Sequence, residues 1–175
     1  YMSHISVRGN ISKKILENIG VTREEINVIC DPLFFFEPMD WATVKPEQKS
    51  ILINYGTFYN NIIGAKEDNL SEQLEIAVQI LLNRDYDITV YPLSVSDVEH
   101  VEKFGRKFTE DSFEIIREVY SAEDLAELIQ KSFFTINCKL HASILSAALK
   151  RPFISLGYRG ECFDFTDTIG SNELC

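Results

Sequence analysis

Strand-like and helix-like segments take turns along most of this chain, and few folds accommodate that alternation. Ile26 to Cys30, Ser50 to Tyr55, Asp87 to Leu93, Phe133 to Cys138 and Phe153 to Tyr158 read as strands, and Phe113 to Val119 as a further short one. Between them, apolar residues recur at helical spacing. Leu70, Leu74, Ala77, Val78, Leu81 and Leu82 share one face of a helix from about Leu70 to Asn83, with Glu72, Gln73, Glu75 and Gln79 mainly opposite. Strand and helix in alternation imply parallel strands joined by right-handed crossovers, hence an α/β doubly wound, Rossmann-like sheet.

Further helices have recognisable starts and stops. Ser94 or Ser96 suits the cap of a helix carrying Val98, Val101 and Phe104, with Asp97 and Glu99 set against its N-terminal dipole. Ser121 and Asp124 have the spacing of a capping box before Leu125, Leu128 and Ile129. Leu140 to Lys150 is a helix rich in Ala and Leu, left at Pro152.

Near the start, His4 to Arg8 reads as a strand, Ile11, Ile15, Leu16 and Ile19 as one helical face, and Gly20 as a helix stop. Asp31-Pro32 closes the next strand, because proline disfavours helix before it and lacks an N–H. From Glu37 to Lys49 the chain has two prolines and mixed polarity, which marks a domain boundary. Residues 1–45 are expected to be the end of one lobe with a linker, and 46–175 a second, Rossmann-like lobe. A chain opening directly on a strand that needs neighbours reads as a piece of a longer two-domain protein.

Composition narrows the classes of function. With 45% hydrophobic and 25% charged residues the chain is an ordinary globular one. Its formal net charge of −10 and lack of a basic stripe argue against nucleic acid, whose binding rests on clustered Lys and Arg. The longest apolar runs are far too short to cross a bilayer. Cys30, Cys138, Cys162 and Cys175 have neither zinc-site spacing nor a disulfide framework, so reduced, cytoplasmic thiols are expected and no metal or cofactor is called for.

In open parallel sheets, ligands sit beyond the carboxyl ends of the strands, where helix N-termini direct N–H groups outward. The junction after Phe133 to Cys138 places Lys139, Leu140 and His141 in the first turn of a helix at such a crevice, which suits a carboxylate or phosphate. Packing or capping by His141, with Lys139 as a solvated charge, fits the same residues equally well. Arg8 ends the first strand and reads as an anion ligand or an ordinary surface arginine. Asp97 reads as a helix-start charge, His4 and His100 as surface or structural, and Phe34, Phe35 and Phe36 as core or, less simply, a sugar platform.

Several segments together resemble the polysaccharide pyruvyl transferase family. Ile5-Ser6-Val7-Arg8-Gly9 with Ser12, Leu16 and Gly20 is similar to its strand, turn and helix; Cys30-Asp31-Pro32-Leu33-Phe34 to its Asp-Pro-aromatic segment; Val90-Tyr91-Pro92 with Ser94 and Asp97 to its strand, proline and acid. The most specific block is Lys139-Leu140-His141-Ala142-Ser143-Ile144, then Ala147, Pro152 and Tyr158, which resembles the family's Arg-Leu-His-Ala helix, proline and tyrosine.

The resemblance implies a two-lobed, glycosyltransferase-B-like enzyme of bacterial surface-polysaccharide synthesis, of which this chain holds one lobe and an N-terminal remnant of the other. The enolpyruvyl group of phosphoenolpyruvate would pass to a hydroxyl of a saccharide or lipid-linked saccharide as a ketal. His141 would contact the donor as general acid, with Lys139, Leu140, Tyr158 and Arg8 also at the donor. Two departures bear on this. Lys139 replaces the family's planar arginine, and Arg159-Gly160-Glu161 stands where a lysine is usual, so Arg159 would supply that charge while Glu161 repels the donor. Such a piece would have little activity alone. A relative using another anionic donor, such as a nucleotide sugar, and a non-catalytic module are the competing readings.

Overall fold

The computed structural model describes residues 4–22, 26–35, 44–57 and 67–175. It comprises a two-stranded and a five-stranded sheet, both parallel. The small sheet pairs β1 (Ile5–Val7) with β2 (Ile26–Val28) around helix α1 (Asn10–Asn18). Gly20, at φ 94°, takes the left-handed conformation that follows a helix end. A 3-10 turn over Pro32–Phe35 follows β2 and packs against a later helix, α5 (Leu140–Ala148).

The large sheet contains β3 (Ser50–Asn54), β4 (Asp87–Tyr91), β5 (Phe113–Ile115), β6 (Phe134–Asn137) and β7 (Phe153–Ser155). Its spatial order is β5-β4-β3-β6-β7, so the chain winds outward from β3 first one way and then the other. The helices are α2 (Glu67–Leu82), α3 (Val98–Gly105), α4 (Ala122–Lys131), α5 (Leu140–Ala148) and α6 (Gly160–Thr168). Central β3 buries Ile51, Leu52, Ile53 and Asn54, as a strand covered on both faces must. Ile51 and Ile53 face a core with Leu74, Val78, Val101 and Phe104, while Leu52 faces Leu125, Ala126, Ile129 and Leu145.

The expected α/β sheet is therefore present, with shorter strands than the apolar runs imply: β5 stops at Ile115 rather than Val119, and β7 at Ser155 rather than Tyr158. Helix α2 starts at Glu67, three residues before the expected Leu70. The Ser121–Asp124 cap forms as expected, the Ser121 hydroxyl accepting from the Asp124 amide at 3.1 Å. Ile15 on α1 and Ile19 at its C-cap are 56% and 73% exposed, and no α1 residue is buried. A two-stranded sheet offers too little surface to cover that face. Most of the expected boundary, residues 37–43, lies outside the described residues, as does Phe36; Phe34 is exposed rather than core.

Candidate active site

β3 and β6 lie side by side, yet β3 leads to its other neighbour β4, so their carboxyl ends flank the point where the winding reverses. That is where doubly wound sheets bind ligands. Asn54 closes β3 fully buried, its side-chain oxygen accepting from the Lys139 amide at 3.0 Å and its amide donating to the Tyr91 carbonyl at 3.4 Å. Asn54 thereby ties together the ends of β3, β4 and β6.

Lys139 is the N-cap of α5, with extended backbone, rather than part of its first turn. Its side chain runs inward. Nζ lies 3.2 Å from Asp97 Oδ1, donates to the Thr57 carbonyl, and sits 5.9 Å from the Tyr158 ring centre. Asp97 is fully buried, accepting also from the Thr57 amide at 3.0 Å, the Ser94 amide at 3.1 Å and the Ser94 hydroxyl at 2.7 Å. Asp97 is thus a helix-start charge, as expected, and also the counter-ion of Lys139. Gly56 makes room for it: a Cβ there would overlap the Asp97 carboxylate.

The remaining candidates border an open cleft of about 330 Å³, lined by Arg8, Leu140, His141, Tyr158, Arg159 and Glu161 together with Lys139, Asp97, Leu93 and Ser94. His141 is exposed in the first turn of α5. Arg159 is the N-cap of α6, its guanidinium 5.2 Å from the Tyr158 ring centre. Two helix N-termini, α5 and α6, therefore open on one cleft, where their unpaired N–H groups favour an anion.

Arg8 reaches this cleft from the small sheet. Its Nη1 donates to Asp31 Oδ2 at 2.8 Å, and its Nη2 lies 3.9 Å from Glu161 Oε1. A second cleft, of about 270 Å³, shares Arg8, Leu140 and Glu161 and continues past Ser12, Asp31, Ile144 and Asp164. The Arg8–Glu161 pair stands between the two. Burial works to raise the pKa of Asp31, but the Leu33 amide and Arg8, with His141 nearby, outweigh it and hold the carboxyl below its ordinary value. Burial pushes the Cys138 thiol, just before Lys139, up to about 12.

All six expected site residues, Arg8, Lys139, Leu140, His141, Tyr158 and Arg159, meet at the first cleft. Asn54, Asp31 and the counter-ion role of Asp97 were not foreseen. A polar Asn54 ending an otherwise apolar strand was a usable signal, since buried amides need partners. Among the described residues no cluster of His, Cys, Asp or Glu has the make-up of a metal site.

The topology and its cleft define the class: one Rossmann-like lobe of a glycosyltransferase-B-like fold. Over 94% of its length the chain aligns with the UDP-GlcNAc 2-epimerase of Methanocaldococcus jannaschii in complex with UDP-GlcNAc and UDP, at TM-score 0.63 and 17% identity. It spans about half of that protein, 48%. It also aligns, over 85% of its length, with 43% of the beta Kdo 2,4 transferase KpsC of Thermosulfurimonas dismutans, at TM-score 0.41 and 13% identity. No curated protein matches the sequence. Residues 2–160 match the polysaccharide pyruvyl transferase family, and the chain belongs to that family.

Proposed function

We propose that the first cleft binds phosphoenolpyruvate and that the full-length protein transfers its enolpyruvyl group to a hydroxyl of a saccharide or lipid-linked saccharide. The observation that carries this reading is the convergence of the α5 and α6 N-termini with Arg8, His141 and Arg159 around one cleft, in a member of this family. Arg159, Arg8 and the helix N-termini bear the donor's phosphate and carboxylate. Lys139 contributes less directly, because Asp97 neutralises it; it holds the cleft wall, and Leu140 and Tyr158 complete that wall.

His141 protonates the methylene carbon of the donor, which becomes a methyl group and leaves an oxocarbenium-like centre at the adjoining carbon. A sugar hydroxyl attacks that carbon and gives its proton back to His141. The bond from that carbon to the phosphate oxygen then breaks, and a second hydroxyl adds to the same carbon, its proton passing to the departing phosphate, which closes the ketal. Residues 1–45 belong to one lobe and linker and 46–175 to the donor lobe, in keeping with the two separate sheets. Four free cysteines suit a reducing compartment such as a bacterial cytoplasm.

Calorimetric titration of phosphoenolpyruvate at low salt tests the donor site. The wild-type chain binds saturably, and His141→Ala weakens binding at least about tenfold, or 1.4 kcal/mol. No binding by the folded wild type would sink this reading. Lys139 and Glu161, which depart from the family's pattern and both line this cleft, are the ground for a second reading, a relative with another anionic donor. Tighter binding of a nucleotide sugar than of phosphoenolpyruvate would select it, and stabilisation by neither would indicate a non-catalytic module.

A further inference from the structure

Helix α1 begins without a cap of its own. Its N-cap is Gly9, which has no side chain, and its first turn has no acidic residue. Its leading N–H groups are nevertheless met, from more than 150 residues along the chain. The Asn10 amide donates to Thr168 Oγ1 at 3.0 Å, the Ile11 amide to Asp164 Oδ1 at 2.7 Å and the Ser12 amide to Asp164 Oδ2 at 3.1 Å. The Ser12 hydroxyl donates to the same Oδ2. Lys13 then starts the helix's own ladder on the Gly9 carbonyl.

Asp164 is only 7% exposed and has no cationic partner among the described residues. Its charge is offset by those donors and by the positive end of α1. A Cβ on Gly9 would coincide with the Asp164 carboxylate, so the bare backbone at Gly9 is what lets α6 approach. Because α1 buries no residue, apolar packing does little to hold it. Asp164 also lies beyond residues 2–160, the part matched by the family.

We propose that Asp164 is a positioning residue: a polar latch fastening the β1–α1–β2 layer to the five-stranded lobe, and so holding Arg8 opposite His141 and Arg159. Arg8 directly precedes Gly9, so the position of the α1 N-terminus fixes where its guanidinium enters the cleft. The consequence for ligand binding rests on the donor assignment above. The latch itself does not.

Amide hydrogen exchange on the full chain decides the latch, using Asp164→Asn, Gly9→Ala and the milder Thr168→Val. Exchange over α1 rises about tenfold or more in the first two and less in the third, while Ile53 and Ile136 in the central strands keep wild-type rates. Unchanged α1 exchange in Asp164→Asn and Gly9→Ala overturns the latch, as does an equal rise at Ile53 and Ile136 in all three variants. Phosphoenolpyruvate titration then reads the consequence. Asp164→Asn weakens binding by about the factor seen for Arg8→Ala, and the double variant binds no more weakly than either. Unchanged affinity in Asp164→Asn overturns the positioning of Arg8. A wild type that binds no phosphoenolpyruvate rejects the donor assignment, while the exchange data still settle the latch.

Discussion

Lys139 Nζ and Asp97 Oδ1 lie 3.2 Å apart in the interior, joining the N-terminus of α5 to that of α3, and the two residues share this space unequally. The Asp97 carboxylate has three further donors, from Thr57 and Ser94. Lys139 has the Thr57 carbonyl and the Tyr158 ring. Removing one partner of a buried ion pair typically costs about 3–5 kcal/mol, because the other charge stays buried and unmatched. Asp97→Ala removes the carboxylate facing Lys139 and leaves three donors without their acceptor, so its loss falls within that range, roughly 6–20 °C in melting temperature for a domain of this size. Lys139→Met leaves the carboxylate with its other donors and costs less. Thermal unfolding of both variants checks the order, and a larger loss for Lys139→Met would contradict it.

The pair also shows what could and could not be read from the residues in order. The parallel sheet was legible because β3, β4 and β6 are short apolar runs separated by helical periodicity, which is local information. Placing Lys139 and His141 at a helix start followed from the same pattern, whereas Arg159 was marked only by the family resemblance. That Lys139 turns inward to Asp97 did not, because the two stand 42 positions apart (139 − 97) and nothing local to either dictates it. Helix α6 gave no amphipathic signal: it opens on Gly160 and contains Thr166, Thr168 and two aspartates, all poor interior helix formers. Gly9 and Gly56 were the subtlest. Each makes room for a carboxylate from a distant element, Asp164 and Asp97 respectively.

Glu161 stands beside Arg8 where a bound anion would need that guanidinium, and its side chain is 56% exposed. An exposed pair at 3.9 Å contributes little to stability. Its electrostatic effect on an incoming anion is the larger consequence. Glu161→Gln removes a negative charge from the cleft wall and releases Arg8 on that side, so phosphoenolpyruvate should bind about three- to tenfold tighter at low salt. The gain should shrink as ionic strength passes the physiological range, since screening acts strongly on exposed charges. Titrations at two salt concentrations check this, and equal or weaker binding by the variant would show that Glu161 does not oppose the anion.

Asp31 yields a pH dependence whose sign follows from its environment. Burial alone would raise its pKa, but the Leu33 amide, the Arg8 guanidinium and the nearby His141 lower it overall. A carboxyl whose folded pKa lies below its unfolded value stabilises the fold at pH above the unfolded value, about 3.9. That contribution declines as the pH falls below this value and is gone once the folded pKa has been passed. Asp31→Asn retains an acceptor for Leu33 but loses the charge facing Arg8, so it should melt below the wild type at pH 6. The two curves should approach each other from about pH 4 downward. A constant gap across that acid range would mean that Asp31 acts through its shape and hydrogen bonds rather than through its charge.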